Sequence, residues 1–292
     1  MAEIKPAAAG SAGPKKPAAA STPQGGSSNA ISIIAPIVCL VIGYVIWRFV
    51  IGADHNFQHP DTSGGFWPKH KDPIGGFARM YEGGIIVPVL ISLLLITITF
   101  SIERGLTILK AKGTGNISGF IRQVQFNLAN RDVDKAIALC DKQKGSVGNV
   151  MKSGLKKYKE MITDTDLDTE QKLVAIQKDI EEATALELPM LQKNLIFIST
   201  IASVATLFGL LGTVIGMITA FAALAEGNGG GNNSAELSKG ISEALYNTAL
   251  GIGTSALSII MYNIFTTKID QVTYGIDECG FTLGQSFAAN YK

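Results

Sequence analysis

The sequence predicts an all-α integral membrane protein with four transmembrane helices, whose long helices extend into a cytoplasmic helical domain. Three observations carry that expectation. Hydrophobic residues make up 47% of the 292 positions and charged residues only 17%, against about 25% charged in soluble domains, and mean hydropathy is +0.26. The apolar residues are gathered into four long runs, and a polar, Lys/Arg-rich stretch with helical spacing lies between the second and third.

Taken in order, residues 1–29 are Ala, Pro, Gly and Ser with Lys5, Lys15 and Lys16. That composition cannot bury enough apolar surface to offset the entropy of ordering it, so a disordered cytoplasmic tail is expected. Residues 30–52 contain the first run, ISIIAPIVCLVIGYVIWRFVI, with Arg48 as its only charge; about 20 such residues cross a hydrocarbon core of roughly 30 Å. A signal peptide cut after Ala53 is the alternative, since Gly52 and Ala53 are small. The run exceeds the usual h-region of about 7–15 residues, so an uncleaved extra N-terminal span is expected. Residues 53–84 then form a periplasmic loop and 85–102 (IIVPVLISLLLITITFSI) a second span ending at Glu103-Arg104. The polar region 103–193 carries fifteen Lys/Arg, and the Leu173-Ile176-Ile180 and Leu186-Leu191-Leu195 spacings predict long helices running on into the third span. Spans are expected at 194–225 and 239–267, joined by a periplasmic loop at 226–238 and followed by a cytoplasmic C-terminal helix at 268–292.

Orientation follows from the distribution of Lys and Arg. The tail, the 103–193 region and Lys268 are basic, whereas 226–238 has no Lys or Arg, which puts both termini in the cytoplasm of a multi-pass protein. Lys69, Lys71 and Arg79 in the outer loop are balanced by Asp54, Asp61, Asp72 and Glu82. Net charge is +1, from 25 Lys+Arg against 24 Asp+Glu, so there is no basic field for DNA or RNA and no nucleic-acid partner is expected. Cys39, Cys140 and Cys279 are far apart with no C-x-x-C, which predicts free structural thiols.

Across the four apolar runs, the last counted from Gly240 to Thr266, the only charged side chains are Arg48 and Glu243. A charge at the bilayer centre costs about 2.5–3.5 kcal/mol on insertion scales, so an acid there commonly faces a bundle interior or a water path and handles ions or protons. Glu243 also lies only about one turn inside its run, where a helix N-terminus would stabilise it as an interfacial carboxylate. Asn247, Thr254 and Ser258 fall within about 60° of Glu243 on a helical wheel, with Thr248 further round. This polar stripe suits either an ion path or interhelical hydrogen bonds. In the third span Ala205, Gly209, Gly212, Gly216 and Ala220 recur every three or four residues, a small-residue face for close packing with another backbone. Thr213, beside Gly212, can present its hydroxyl there or satisfy it on its own helix.

The strings GLLGTVIGMITAF (209–221), GISEALYNTALGI (240–252) and Tyr262-Asn263 resemble the MotA/TolQ/ExbB proton channel family, closest to its ExbB and TolQ branch. The resemblance covers roughly residues 85–270, in the family's segment order. It implies a homopentamer around two copies of a single-span, Asp-bearing ExbD/TolR-like subunit in the bacterial inner membrane. That assembly would use the proton motive force through a TonB/TolA-like protein. It implies a proton pathway through Glu243, Thr248 and Thr213, and helix packing at Gly209, Gly212, Gly216 and Ala220, with the small-residue seam joining identical subunits. The ExbB-like role is TonB-dependent biopolymer and protein transport across the outer membrane. A TolQ-like role in envelope integrity and division is the alternative, with a flagellar or gliding stator and a non-conducting scaffold further off. The sequence departs from the family at Thr206 and Leu257, where family members commonly have Pro, and in its first span and the 53–84 loop.

Other constellations point to bland roles. His55-x-x-x-His59 has metal-ligand spacing for a helix, but Pro60 and Gly64-Gly65 argue against a helix there, and no metal or cofactor is expected. Asp164, Asp166, Asp168 and Glu170 lack the central Gly and distal Glu of a calcium loop, so a helix-capping turn before Glu170 is expected. Gly229-Gly230-Gly231 has no following G-K-[ST] and reads as a flexible outer loop. No Ser-His-Asp or Cys-His set is visible, so no enzyme activity is expected.

Overall fold

A computed structural model describes residues 26–61, 70–226 and 232–291. The order is α1 (Gly26–Val45), a π-helical turn (Ile46–Ile51), a short antiparallel hairpin of β1 (Phe57–His59) and β2 (Lys71–Pro73), then α2 (Gly76–Tyr81) and α3 (Ile86–Ala111). There follow α4 (Ile117–Ala129), α5 (Val133–Gln143), α6 (Gly145–Thr163), α7 (Thr169–Gln192), α8 (Leu195–Glu226) and α9 (Asn232–Asn290). Four helical stretches are long and apolar enough to cross a membrane: Ser32–Ile51, Ile86–Ala111, and parts of Thr169–Ala225 and Glu236–Asn290. The chain is an all-α protein of membrane-spanning type. Residues 1–25 of the expected tail, and Gly229-Gly230-Gly231, lie outside the described residues.

Several boundaries differ from the sequence expectation. Helix α1 starts at Gly26, so residues 26–29 are helical where a disordered tail was expected. The 53–84 segment is not simply a loop. Asn56 Nδ2 donates to the carbonyls of Val50 and Ile51, capping the first span, and Phe57 pairs with Pro73 across the hairpin. The hairpin folds Phe57 and His70 onto Tyr81, which stacks on the fully buried Trp47 with ring centroids 4.3 Å apart. Burial pushes the Tyr81 hydroxyl up to about 12, because the phenolate would lose its hydration. His55 stands in a 3₁₀ turn and His59 in β1, so the two share no helical face.

The polar helices build a second core. In α6, Val147, Val150, Met151, Gly154, Leu155, Tyr158 and Met161 form one buried face at helical spacing. Helix α9 meets it with Phe265, Ile269, Val272, Ile276, Cys279, Leu283 and Phe287, a stripe that recurs every three or four residues and so stays on one side of a long helix. The separate C-terminal helix expected at 268–292 is instead the second half of α9, which carries the fourth span directly into this core. The acidic turn caps α7 as expected. Asp168 accepts from Gln171 N at 2.7 Å and Gln171 Oε1 accepts from Asp168 N, a capping box.

The expected run-on from α7 into α8 is interrupted at Lys193-Asn194, where Asn194 adopts φ 64°. Asparagine is one of the few residues that tolerates that left-handed conformation. Its buried amide accepts from Ser32 Oγ at 2.7 Å and donates to Glu103 Oε2 at 3.0 Å. Arg104, 2% exposed, pairs with Glu103 and donates through Nη1 to the carbonyls of Met190 and Leu191. The guanidinium thereby satisfies carbonyls that the end of α7 leaves open. This knot ties α1, α3 and the α7–α8 junction together.

Candidate functional site

Helices α8 and α9 form a close hairpin. A Cβ at Gly209 would stand 3.1 Å from Gly251 Cα, one at Gly212 2.5 Å from Asn247 Cβ, and one at Gly216 3.0 Å from Ala244 Cβ. Ala220 fills the space above Gly240, where an added Cβ would lie 2.7 Å from its own. The small-residue face of α8 therefore packs on α9 of the same chain. The sequence expectation had assigned this seam to contact between identical subunits. Periodicity locates such a face but cannot name the helix it meets.

Three of the four polar positions of α9, Asn247, Thr248 and Ser258, bond to other elements of the chain. Thr97 and Ser258 share a hydrogen bond of 2.9 Å between α3 and α9, and Ser258 also donates to Thr254 O. Ser255, missed by the sequence reading, donates to Ala202 O of α8. These groups hold helices together. Thr248 also lies in the seam, donating to Gly209 O at 3.2 Å. Thr213 does not: it is half-buried, donates to Leu210 O of its own helix at 2.6 Å, and lines an open apolar groove with Val214, Met217, Ile218 and Phe221. The structure thus puts Thr248 in the α8–α9 seam and Thr213 on an open apolar face of α8.

Glu243 is partly buried, and the charged groups that act on it are Lys239 and Glu82. Asn247, one turn further along, is 3% exposed and donates through Nδ2 to Gly83 O at 3.2 Å. The segment before the second span therefore reaches the neighbourhood of the only carboxyl in the membrane-spanning part of α9. Sequence reading missed this connection. Lys239 was visible at one turn before Glu243, but Glu82 had counted only as a charge balancing the loop.

Apolar helices closed by small residues beside a partly buried carboxyl are compatible with a helical membrane channel or transport subunit. The comparison with known sequences agrees. Residues 142–278 match the sequence model of the MotA/TolQ/ExbB proton channel family, so the resemblance read from the α8 and α9 strings is borne out over that segment. Among relatives, an ExbB-like biopolymer transport protein of Synechocystis sp. is 35% identical over 86 residues, 30% of this chain and 41% of its own. The Tol-Pal system protein TolQ of Pseudomonas aeruginosa is 26% identical over 126 residues, 43% of this chain and 54% of its own. The biopolymer transport protein ExbB of Aquifex aeolicus is 40% identical over 79 residues, 27% and 52%. The chain spans about half the length of these curated relatives.

Proposed function

We propose that this chain is the proton-channel subunit of an inner-membrane energy-transducing motor of the ExbB kind. Five copies would surround an ExbD/TolR-like single-span partner, and proton flow would drive TonB-dependent transport at the outer membrane. The observation that carries the reading is Glu243, the only carboxyl of the 194–225 and 239–267 spans, on the same helix as Lys239, Asn247 and Thr248. A carboxyl can hold or release a proton as rotation or a partner's Asp changes its surroundings. Both termini and the 103–193 region would then be cytoplasmic, with 53–84 and 226–238 periplasmic. The exposed apolar face of α8 around Thr213 supports a central, apolar-lined cavity between copies. A TolQ-like role is the second reading, because the longest of the matches above, 126 residues, is to a TolQ protein.

A relay needs a titratable group, whereas a structural hydrogen bond needs only shape and polarity, which Gln largely supplies. Glu243→Gln should accumulate and assemble normally yet abolish energised uptake in cells that depend on the complex, and Glu243→Asp should retain a fraction. Wild-type uptake with Glu243→Gln at normal protein level would end the relay reading.

A further inference from the structure

Glu82 is the C-terminal cap of α2, and its side chain is 8% exposed. Its Oε1 lies 2.6 Å from Lys239 Nζ, on a side chain that is 46% exposed. Lys239 and Glu82 both act electrostatically on Glu243, so the ammonium paired with Glu82 also bears on a second carboxyl. With both ionised the set carries one uncompensated negative charge, and a single bound proton neutralises it whichever carboxyl takes it. Lys239 and Glu243 are one helical turn apart, within reach of one another along α9.

Asn247 supplies the second observation. Its Oδ1 is buried with no partner among the described residues, and it faces the backbone next to Glu82, since a Cβ at Gly83 would stand 2.7 Å from it. A buried amide oxygen without a donor is a place for a bound water. Among the described residues, few other charges face this group. Arg79 of α2 and Glu236 of α9 are exposed, and the Tyr246 hydroxyl lies against Gly76. Arg48, Tyr44 and Asp61 act on the neighbouring Tyr81. Helix α8 has no charge before Glu226, and α3 none before Glu103.

We infer that Glu82 is the proton-collecting residue of this channel, passing protons to Glu243 through a water at Asn247 Oδ1 while Lys239 changes partner between the two carboxylates. An O–H bond of a hydronium ion breaks as the Glu82 O–H forms, which releases Lys239 to ionised Glu243. The Glu82 O–H then breaks as the Glu243 O–H forms, the water accepting one proton and donating another, and Lys239 returns to Glu82. One proton moves and no electrons do. Glu82 precedes the segment that matches the family, whereas Lys239, Glu243 and Asn247 lie within it. The inference rests on the proposed role of Glu243 and on an outward-facing 53–84 segment.

The test is proton flux into vesicles carrying the complex purified from its own membrane, read with an entrapped pH dye across a range of outer pH. Glu82→Gln should lower flux about tenfold and flatten its dependence on outer pH, a smaller loss than the roughly 10²–10⁴-fold of a positioned acid–base group because bulk water offers a slower route. Glu82→Asp should keep a large part. Lys239→Gln, which removes the cation paired with Glu82, should move the dependence of flux on outer pH to higher pH. If Glu82→Gln does not accumulate, Lys239→Gln decides, and an unmoved profile overturns the inference. Reduced flux with an unchanged pH profile in Glu82→Gln means a structural ion pair and also overturns it. Wild-type flux and profile in Glu82→Gln, with flux blocked in Glu243→Gln, overturns it and leaves the proposed function standing. Wild-type flux in Glu243→Gln removes both.

Discussion

Replacing Gly212 with Ala tests the α8–α9 seam. The new Cβ would sit 2.5 Å from Asn247 Cβ and 2.8 Å from its Cγ and Nδ2, about 1 Å inside the roughly 3.5–4.0 Å of a relaxed carbon contact. Overpacking of this kind costs about 1–3 kcal/mol. If Asn247 yields, it loses its bond to Gly83 O and leaves a buried amide unsatisfied, about 1–3 kcal/mol more. Alanine gains up to about 1 kcal/mol over glycine in a helix, so the net loss is about 1–5 kcal/mol. Gly253→Ala is the control: it lies in the apolar span of α9, the other helix of the hairpin, and its Cβ would meet nothing within 4 Å, so only the favourable helix contribution applies. Unfolding midpoints of both variants in one mild detergent give the comparison, with Gly212→Ala well below wild type and Gly253→Ala at or above it. Adding Asn247→Gly to Gly212→Ala removes the clashing side chain, so the double variant should be at least about 1 kcal/mol more stable than the sum of the singles predicts. Equal stability of Gly212→Ala and Gly253→Ala would refute the closed seam.

Arg104→Met should strand Glu103 and the Met190 and Leu191 carbonyls, costing about 3–5 kcal/mol, and Arg104→Lys should recover only part because Lys lacks the planar fork; thermal unfolding of the purified chain reads both. Asp168→Ala removes the capping box of α7 and should cost about 0.5–2 kcal/mol by chemical unfolding, with the membrane-spanning part unaffected. Because burial raises the Tyr81 pKa to about 12, the folded state holds that proton longer than the unfolded chain. Its contribution is present below about pH 10 and lost as pH rises from there towards 12, and Tyr81→Phe should flatten that decline in stability. For topology, single cysteines at Gln58 and Lys144, in a background lacking Cys39, Cys140 and Cys279, should react with impermeant reagent from opposite faces. Labelling from the same face would refute the four-span orientation.

Length and hydropathy by themselves determined the four spans, because a helix must satisfy its own backbone in hydrocarbon and about 20 apolar residues are the distance across it. Local chemistry also made the Asp168 cap legible, since its partner is Gln171 in the same turn, and it singled out Glu243 as the lone acid of an apolar run. Other features depended on partners far away in the chain. The face of Gly209, Gly212 and Gly216 could have met any helix, and only the fold showed that it meets Asn247, Ala244 and Gly251 of the same molecule. The continuity of α9 through the membrane into the polar core was hidden because its apolar run ends near Thr266, while the stripe that continues it, Ile269 to Phe287, is buried by α4, α6 and α7 rather than by lipid. The pairing of Glu82 with Lys239 joins residues 157 positions apart. No spacing rule relates two charges so far apart, so only the packing of α2 against α9, which removes Glu82 from water, decided that this carboxylate must find a cation there.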